Sequence, residues 1–191
     1  MSIHTFSFIG TGNMGSALAR AAARALPPEQ LLLSNRTPGK AEVLAGELRC
    51  AACPVHEAAR DGEYIFLGVK PQMMEGLLSE IAPVLAARTD RFVLVTMAAG
   101  LTMERIAAMA GGAYPVIRIM PNIPSAIGAG VVQYCGQLVT VEELDAFAAL
   151  LAPAGLVDPV PEGLIDAASA ASGRGPAFAY PFAEALADGG V

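Results

Sequence analysis

FSFIGTGNMG, residues 6–15, is the stretch that decides the fold. A short apolar run, long enough for a buried strand, leads directly into the pattern G-x-G-x-x-G formed by Gly10, Gly12 and Gly15. Residues 16–22 predict a helix, with small side chains at the positions where it must lie close to a sheet. In this context the glycines permit a tight turn, the approach of backbone to a pyrophosphate, and close helix–strand packing. The helix N-terminus suits a phosphate, so the motif predicts dinucleotide binding; the alternative is a glycine-rich turn that binds nothing.

The rest of the chain alternates between apolar strands and helical segments. Strands are predicted at residues 6–9, 31–33, 49–53, 64–69, 92–97, 116–120, 130–135 and 156–157, with helices between most of them. This succession predicts an α/β protein with a Rossmann-like, doubly wound, mostly parallel sheet. From Pro161 the sequence is alanine-rich and helical, with an interruption at residues 172–176. We expect residues 1–160 to form an NAD(P)-binding domain and residues 161–191 to supply the first helices of an all-α domain.

Composition excludes several classes of function. The chain has 191 residues, is 54% hydrophobic and has a mean hydropathy of +0.50. No run of about 18 uncharged apolar residues is present, which predicts no membrane-spanning helix. The N-terminus lacks the pattern of a secretory signal. The net charge of −6 disfavours nucleic-acid binding. We therefore expect a cytoplasmic protein without membrane or nucleic-acid partners.

Cysteine spacing raises the question of a redox or metal site. Cys50 and Cys53 have C-x-x-C spacing, but they lie in a predicted strand rather than at a helix start. Cys135 is distant in sequence, and His4 and His56 form no ligand pair with them. We interpret the thiols as reduced and partly buried, and we predict no metal site.

The end of the second predicted strand bears on the choice of cofactor. Ser34, Asn35 and Arg36 lie there, and no Asp or Glu occupies the position that in NAD-preferring sites accepts from the ribose 2′-OH. A guanidinium, an amide and hydroxyls suit a 2′-phosphate. These residues therefore favour NADP(H), with NADPH preferred over NADH. The alternative is that Arg36 is an ordinary solvated arginine.

Other predicted strand ends carry candidate site residues, because ligands of open parallel sheets bind at the carboxyl ends of strands. Lys70 is placed to meet a phosphate, ribose or carboxylate, or else to cap its strand end. The small residues 98–100 permit the approach of a flat ring, or simply a turn. Asn122, between two prolines, is a rigidly held amide and a functional candidate. Arg118, inside an apolar strand, predicts a structural ion pair.

Taken together, several motifs resemble the pyrroline-5-carboxylate reductase family. They are FIGTGNMG at 8–15, VKPQ at 69–72, AAG at 98–100, VIRIMPN at 116–122, LIDA at 164–167, SGRGPA at 172–177 and EALADGGV at 184–191. The resemblance runs through the whole chain in order. It implies reduction of 1-pyrroline-5-carboxylate to L-proline with NAD(P)H in proline biosynthesis. It also implies a helical dimerisation domain after the dinucleotide domain, and hence a homodimer or higher homo-oligomer.

The resemblance also assigns residues to parts of the site. The residues implied to hold the adenosine end of the cofactor are Gly10, Thr11, Gly12, Asn13, Met14, Gly15, Ser34, Asn35 and Arg36. Those implied to line the nicotinamide and its ribose are Val69, Lys70, Pro71, Ala98, Ala99 and Gly100. The substrate-facing candidates are Glu162, Ser172, Gly173, Gly175 and Asn122. No catalytic acid or base is identified.

The chain departs from the family pattern in its length and at Arg174 and Val55. Arg174 stands where the family usually has serine, and Val55 where many members have an asparagine that contacts the cofactor. Family members continue through further helices, so we expect this shortened chain to bind NADP(H) with little or no turnover. The alternatives are a related imine or β-hydroxyacid reductase and a non-catalytic dinucleotide-binding regulator. The substrate loop that family members carry in those further helices is missing here, and this and Arg174 favour the regulator. The retained Lys70, Asn122 and Glu162 count against it.

Overall fold

The computed structural model describes residues 4–190. Its strands are β1 (His4–Ile9), β2 (Leu31–Ser34), β3 (Ala51–Ala52), β4 (Gly62–Leu67), β5 (Val93–Thr96), β6 (Val116–Pro121), β7 (Gly130–Gln137) and β8 (Gly155–Pro159). Its α-helices are α1 (Asn13–Ala22), α2 (Pro38–Leu48), α3 (Val55–Asp61), α4 (Pro71–Ala86), α5 (Met103–Met109), α6 (Val141–Leu151), α7 (Glu162–Ser169) and α8 (Gly175–Gly189). A π-helical segment, Ala170–Arg174, joins α7 to α8.

The described strands form a single eight-stranded sheet in the order β3-β2-β1-β4-β5-β6-β7-β8. Every neighbouring pair is parallel except β6 and β7, which are antiparallel. This order confirms the predicted doubly wound, mostly parallel α/β sheet. The chain winds outward from β1 to β3 and then returns to β4 on the other side of β1. The crevice outside the carboxyl ends of β1 and β4 is therefore the topological switch point, where ligands bind in such sheets.

Both faces of the sheet are covered by packed side chains. This packing holds in place the strand ends that carry the glycine turn. On one face Phe66 stacks on Phe8 with ring centroids 4.3 Å apart and meets Phe6 edge-on at 4.9 Å. Phe147 of α6 packs against this aromatic group. On the other face Met74 of α4 is fully buried among strand residues. Burying each large apolar side chain stabilises the fold by about 1.5–3 kcal/mol, so the strands form a rigid platform.

The ends of some elements differ from the sequence prediction. The third strand is two residues long rather than spanning residues 49–53. Arg49 ends α2 in the left-handed conformation with φ +58°, and Pro54 precedes α3, so little extended chain is left between the helices. The capping box predicted for α6 is present: Thr140 Oγ1 accepts the Glu143 N–H at 3.2 Å, and Glu143 Oε2 accepts the Thr140 N–H at 2.8 Å.

The interruption predicted at residues 172–176 is present only as a change of helix type, not as a turn. The chain stays helical there, passing from α7 through the π-helical segment into α8. The Ser172 hydroxyl donates to Ala168 O at 3.2 Å, and Asn122 Nδ2 donates to Ser172 O at 3.1 Å. The serine hydroxyl thus binds the carbonyl of the preceding helical turn, and the serine carbonyl is satisfied by a side chain from outside the helix. Together these bonds favour a widened, π-helical turn over a break in the helix.

Helix α8 carries large apolar side chains on its exposed surface. Phe178 is 78% exposed, and Tyr180, Phe182 and Leu186 are also exposed. A helix with such a surface needs a partner surface to bury it. Within residues 4–190, no helix combines the length and apolar character needed to span a bilayer.

Candidate active site

The glycine turn after β1 is tightly packed at two of its three glycines. Gly10 has φ +104°, and a Cβ there would lie 2.5 Å from Gly68 O. A Cβ on Gly15 would lie 2.1 Å from Gly10 O, so α1 passes directly over the turn. The Gly10 N–H donates to Ser34 O at 2.8 Å, and the Gly68 N–H donates to Ile9 O at 2.7 Å. These glycines are required by the fold itself.

Gly12 differs, because a Cβ there would meet nothing within 4 Å. Its backbone is extended, with φ −72° and ψ −170°, and it is the N-cap of α1 without a side-chain cap. The first turn of α1 contains no acidic residue. The fold therefore does not need glycine at this position, whereas an anion seated on the α1 N-terminus does need the space. The open space at Gly12 fits a pyrophosphate.

Asn35 joins the glycine turn to the end of β2. Its Oδ1 accepts the Thr11 N–H at 3.1 Å, and its Nδ2 donates to Thr37 O at 3.1 Å. The amide thereby fixes the spacing between the predicted phosphate site and Arg36. The Thr11 hydroxyl is buried beside the turn, and no residue within 4–190 whose side chain is described forms a hydrogen bond with it.

A cleft of about 1020 Å³ opens at the switch point. It brings together predicted site residues from the carboxyl ends of three strands: Gly10, Gly12, Ser34, Asn35, Arg36, Val69 and Lys70. Its far wall comes from α4, through residues that include Met73, Gly76 and Leu77. Val55 also lines it, so the position where many family members have asparagine is apolar here. The cleft has the size and lining of a site for a nucleotide.

Lys40 is a cleft residue that the sequence analysis missed. It lies in the first turn of α2 and lines both this cleft and a smaller one of about 420 Å³ between α1 and α2. A second basic residue shortly after Arg36 was the available signal. Among the residues described as lining the larger cleft, Glu80 supplies the carboxylate and Arg36, Lys40 and Lys70 supply cations. The balance of charge suits an anionic ligand.

The remaining predicted cofactor residues are arranged next to the cleft. Lys70 is the N-cap of α4, and Pro71 is the first residue of that helix. Residues 98–100 follow β5, which is the neighbour of β4 on the side away from β1. Ala98 is buried and Ala99 and Gly100 are exposed. They are therefore next along the carboxyl edge from Lys70, although they do not line the cleft itself.

The substrate-facing candidates lie further along the same edge. Asn122 follows β6. Both polar atoms of its side-chain amide form hydrogen bonds: Oδ1 accepts the Val131 N–H at 2.9 Å, and Nδ2 donates to Ser172 O. Gln133 Oε1 also lies 3.2 Å from Ser172 Oγ, so it shares the single hydroxyl hydrogen with Ala168 O. Gln133, which the sequence analysis did not select, is buried. The structure brings Asn122 and Ser172 together, and Gly173 and Gly175 follow within the helical path. The Arg174 side chain lies outside the described part of the structure.

The predicted structural ion pair of Arg118 is present. Its side chain is 2% exposed, and its Nη2 donates to Asp166 Oδ1 at 2.6 Å. Its Nη1 lies 3.7 Å from Glu162 Oε1, and that oxygen also accepts the Met103 N–H at 2.7 Å. Glu162, a substrate-facing candidate, thus has its carboxylate engaged by other elements of the protein. Asp166 was within a family motif, but nothing in its spacing indicated its partner.

The cysteines behave as buried thiols. Cys50, Cys53 and Cys135 are free and half-buried. Burial raises the pKa of the Cys53 thiol to about 12, with the Glu57 carboxylate adding to the effect, and raises the pKa of Cys135 to about 11. Among residues 4–190, no group of three or more His, Cys, Asp or Glu side chains is placed to hold a metal ion.

We expect the Cys53 thiol of the folded protein to resist alkylation. At pH 8.5 about half of an ordinary thiol is ionised, whereas Cys53 stays protonated, so labelling should be at least about 100-fold slower than in urea-unfolded chain. Because the pKa is raised on folding, the stability contributed by the neutral thiol is present below about pH 8.5 and is lost as pH rises towards 12. Mass spectrometry of iodoacetamide-treated protein measures this. Equal labelling rates in folded and unfolded chain would contradict the assignment of inert thiols.

The tight turn, the open α1 N-terminus and the cleft at the switch point define a dinucleotide-binding Rossmann domain. Residues 5–100 match the family described as NADP oxidoreductase, coenzyme F420-dependent. The chain is 33% identical to the pyrroline-5-carboxylate reductase of Mycobacterium leprae over 194 residues, and 34% identical to that of Synechocystis over 195 residues. It belongs to the pyrroline-5-carboxylate reductase family.

The likeness extends to solved structures. The Plasmodium falciparum pyrroline carboxylate reductase, whose crystal structure has NADP bound, is 28% identical and superposes with a TM-score of 0.83. That comparison covers 100% of this chain and 70% of the other. The comparisons with the M. leprae and Synechocystis proteins each cover 100% of this chain. The chain spans 66% of the M. leprae protein and 71% of the Synechocystis protein. This chain therefore corresponds to about two thirds of a family member.

Proposed function

We propose that this chain binds NADPH and serves the reduction of 1-pyrroline-5-carboxylate to L-proline. The observation that carries the proposal is the open α1 N-terminus at Gly12, set in a cleft with three cations. Glycine there is unnecessary for the fold but necessary for a bound pyrophosphate. Membership of the family supplies the substrate: a cyclic imine that carries a carboxylate.

NADPH, when bound, supplies a hydride for the imine carbon. The hydride forms a new C–H bond at that carbon and leaves NADP+, while a proton from solvent forms the N–H bond. The C=N double bond thereby becomes the C–N single bond of L-proline. The task of this chain is to bind and orient the reactants. The α1 N-terminus would hold the pyrophosphate, and Lys70 and residues 98–100 would border the nicotinamide end. Asn122, Ser172, Gly173 and Gly175 are proposed to border the substrate, because Asn122 follows β6 at the same carboxyl edge and binds the Ser172 carbonyl. Glu162 is proposed to border it as well, because its carboxylate reaches the start of α5, just after residues 98–100.

We propose a preference for NADPH over NADH. Arg36 and Lys40 both line the cleft, whose lining at the end of β2 contains no carboxylate to accept from a ribose 2′-OH. Two cations beside the ribose position would instead bind a 2′-phosphate by charge-assisted hydrogen bonds. The relative from P. falciparum has been solved with NADP, in agreement with this preference.

We expect Arg36→Ala to weaken NADPH binding by about 10- to 100-fold, because a lost charge-assisted hydrogen bond costs about 1.5–3 kcal/mol. NADH lacks the 2′-phosphate and should lose much less. Lys40→Ala should act in the same direction. Calorimetric titration with both coenzymes measures the difference, and Arg105→Ala, an exposed arginine of α5 outside the cleft lining, is the matched control. Equal weakening of NADPH and NADH by Arg36→Ala would refute the preference.

We further propose that residues 161–191 begin a helical domain through which two copies of the protein associate. The exposed apolar surface of α8, including Phe178 and Phe182, supports this. Burying it against a second copy would remove a large apolar area from water. Sedimentation as a monomer at all concentrations would refute the association.

The test of the proposed function is NADPH oxidation, followed by absorbance, with 1-pyrroline-5-carboxylate as substrate. The M. leprae relative serves as a positive control. Turnover above the rate without protein supports the proposal, even at a small fraction of the positive control's rate, because little turnover is expected of the shortened chain. Reduction of another imine or a β-hydroxyacid, but not of pyrroline carboxylate, would favour a related reductase. Tight NADPH binding without turnover of any substrate would favour the non-catalytic regulator.

A further inference from the structure

Glu162 joins three elements that meet at the carboxyl edge of the sheet. Its Oε1 accepts the N–H of Met103, the first residue of α5, at 2.7 Å. The same oxygen lies 3.7 Å from Nη1 of Arg118 in β6. Glu162 is itself the first residue of α7. One carboxylate therefore connects the loop after β5 to the start of the helical part of the chain.

The attachment of α7 depends largely on these polar contacts. Ile165 is the fully buried apolar residue of α7, and the neighbouring positions are half-buried or exposed. The buried Arg118 guanidinium is held by Glu162 and Asp166, one helical turn apart. Arg118 Nε has no hydrogen-bond partner among the described residues, so within that part of the chain the guanidinium relies on these two carboxylates. Removing Glu162 would loosen α7 without emptying the core.

The loop after β5, which Glu162 connects to α7, is short. Residues 97–102 lie between β5 and α5, with Ala98 buried and Ala99 and Gly100 exposed. Leu101 N–H donates to Ala98 O at 3.5 Å, a weak turn contact. A change in this loop on coenzyme binding would therefore reach Met103 N–H and pass to Glu162. From α7 it would reach the π-helical segment and the Ser172 carbonyl held by Asn122.

We propose that Glu162 is a positioning residue, which couples binding at the nicotinamide end to the placement of residues 162–174. The proposal rests on the proposed function, since residues 98–100 border the nicotinamide only if NADPH binds in the cleft. It gives Glu162, in addition to its proposed place bordering the substrate, a role that acts through Met103 and Arg118.

Hydrogen–deuterium exchange of the full chain, with and without saturating NADPH, tests this. We expect NADPH to slow amide exchange in peptides covering 10–15, 98–103 and 162–174 of the wild type, the last by at least about fivefold, in the range of ordinary coupling between sites. In Glu162→Ala, protection of 10–15 and 98–103 should remain, while protection of 162–174 should be lost. Glu162→Gln keeps an oxygen that can accept the Met103 N–H, so it should restore part of the protection. Glu104→Ala, which removes an exposed carboxylate one residue after Met103, should behave as wild type.

The outcomes distinguish failure of this proposal from failure of the proposed function. If NADPH protects no segment of the wild type, the proposed function fails and the coupling fails with it. If NADPH protects 10–15 but not 162–174 in the wild type, or if Glu162→Ala retains full protection of 162–174, the coupling is overturned while coenzyme binding stands. A loss of protection in Glu162→Ala that Gln does not restore at all would show that the Met103 hydrogen bond does not carry the coupling, and would also overturn the proposal.

Discussion

Replacing Gly12 with valine should abolish NADPH binding and leave the fold intact. The backbone of Gly12 is extended, with φ −72° and ψ −170°, a conformation that valine adopts readily. A Cβ there meets no protein atom within 4 Å. The branched side chain would instead fill the space that a pyrophosphate needs to reach the N–H groups of α1. Losing several charge-assisted hydrogen bonds, each worth about 1.5–3 kcal/mol, should weaken binding by at least about 100-fold.

Coenzyme titration and thermal melting of the same sample measure both parts of this expectation. Gly46→Val is the matched control, because Gly46 is exposed in α2 and its Cβ would also meet nothing within 4 Å. Both variants should melt within about 4 °C of wild type, the shift that 1 kcal/mol produces in a chain of this size. Only Gly12→Val should lose the ability to bind NADPH. An unchanged NADPH titration for Gly12→Val would remove the role assigned to the glycine motif.

The sheet was predictable from sequence because parallel strands buried on both faces are continuous apolar runs. FSFI, EYIFL and FVLV each stand out between polar segments, and each became a strand with parallel neighbours. The antiparallel direction of β7 has a separate physical cause. Only a short 3₁₀ turn, Ile123–Ile127, lies between β6 and β7. A parallel return would need a crossover of a dozen or more residues.

The candidate site was predictable where a local motif determines it and not where distant residues meet. The glycine turn and the residues after β2 could be assigned from sequence, and the structure places them in one cleft. Lys40 was missed because its helix starts at Pro38, which turns it towards the cleft. The helical path at residues 172–176 depends on Asn122, which is 50 residues away in sequence from its partner Ser172. No pattern in either segment indicates that contact.

The contrast between Gly12 and Gly10 gives the second large expectation: Gly10→Ala should destabilise the protein by about 3–5 kcal/mol. Gly10 has φ +104°, where a side chain costs about 1–3 kcal/mol. Its Cβ would also lie 2.5 Å from Gly68 O and 2.7 Å from Gly68 C, both backbone atoms. The turn must then move away from β4, which strains the hydrogen bond from Gly10 N–H to Ser34 O. The melting temperature should fall by about 10 °C or more.

Gly111→Ala separates the two contributions to this loss. Gly111 has φ +82°, but its Cβ would meet nothing within 4 Å, so it bears the conformational penalty without the clash. It should lower the melting temperature by about 2–4 °C, the effect of about 1 kcal/mol. The excess loss in Gly10→Ala then measures the close approach of the turn to β4. If both variants melt alike, the turn relaxes freely, and the first glycine of the motif is set by its dihedral angle rather than by the neighbouring strand.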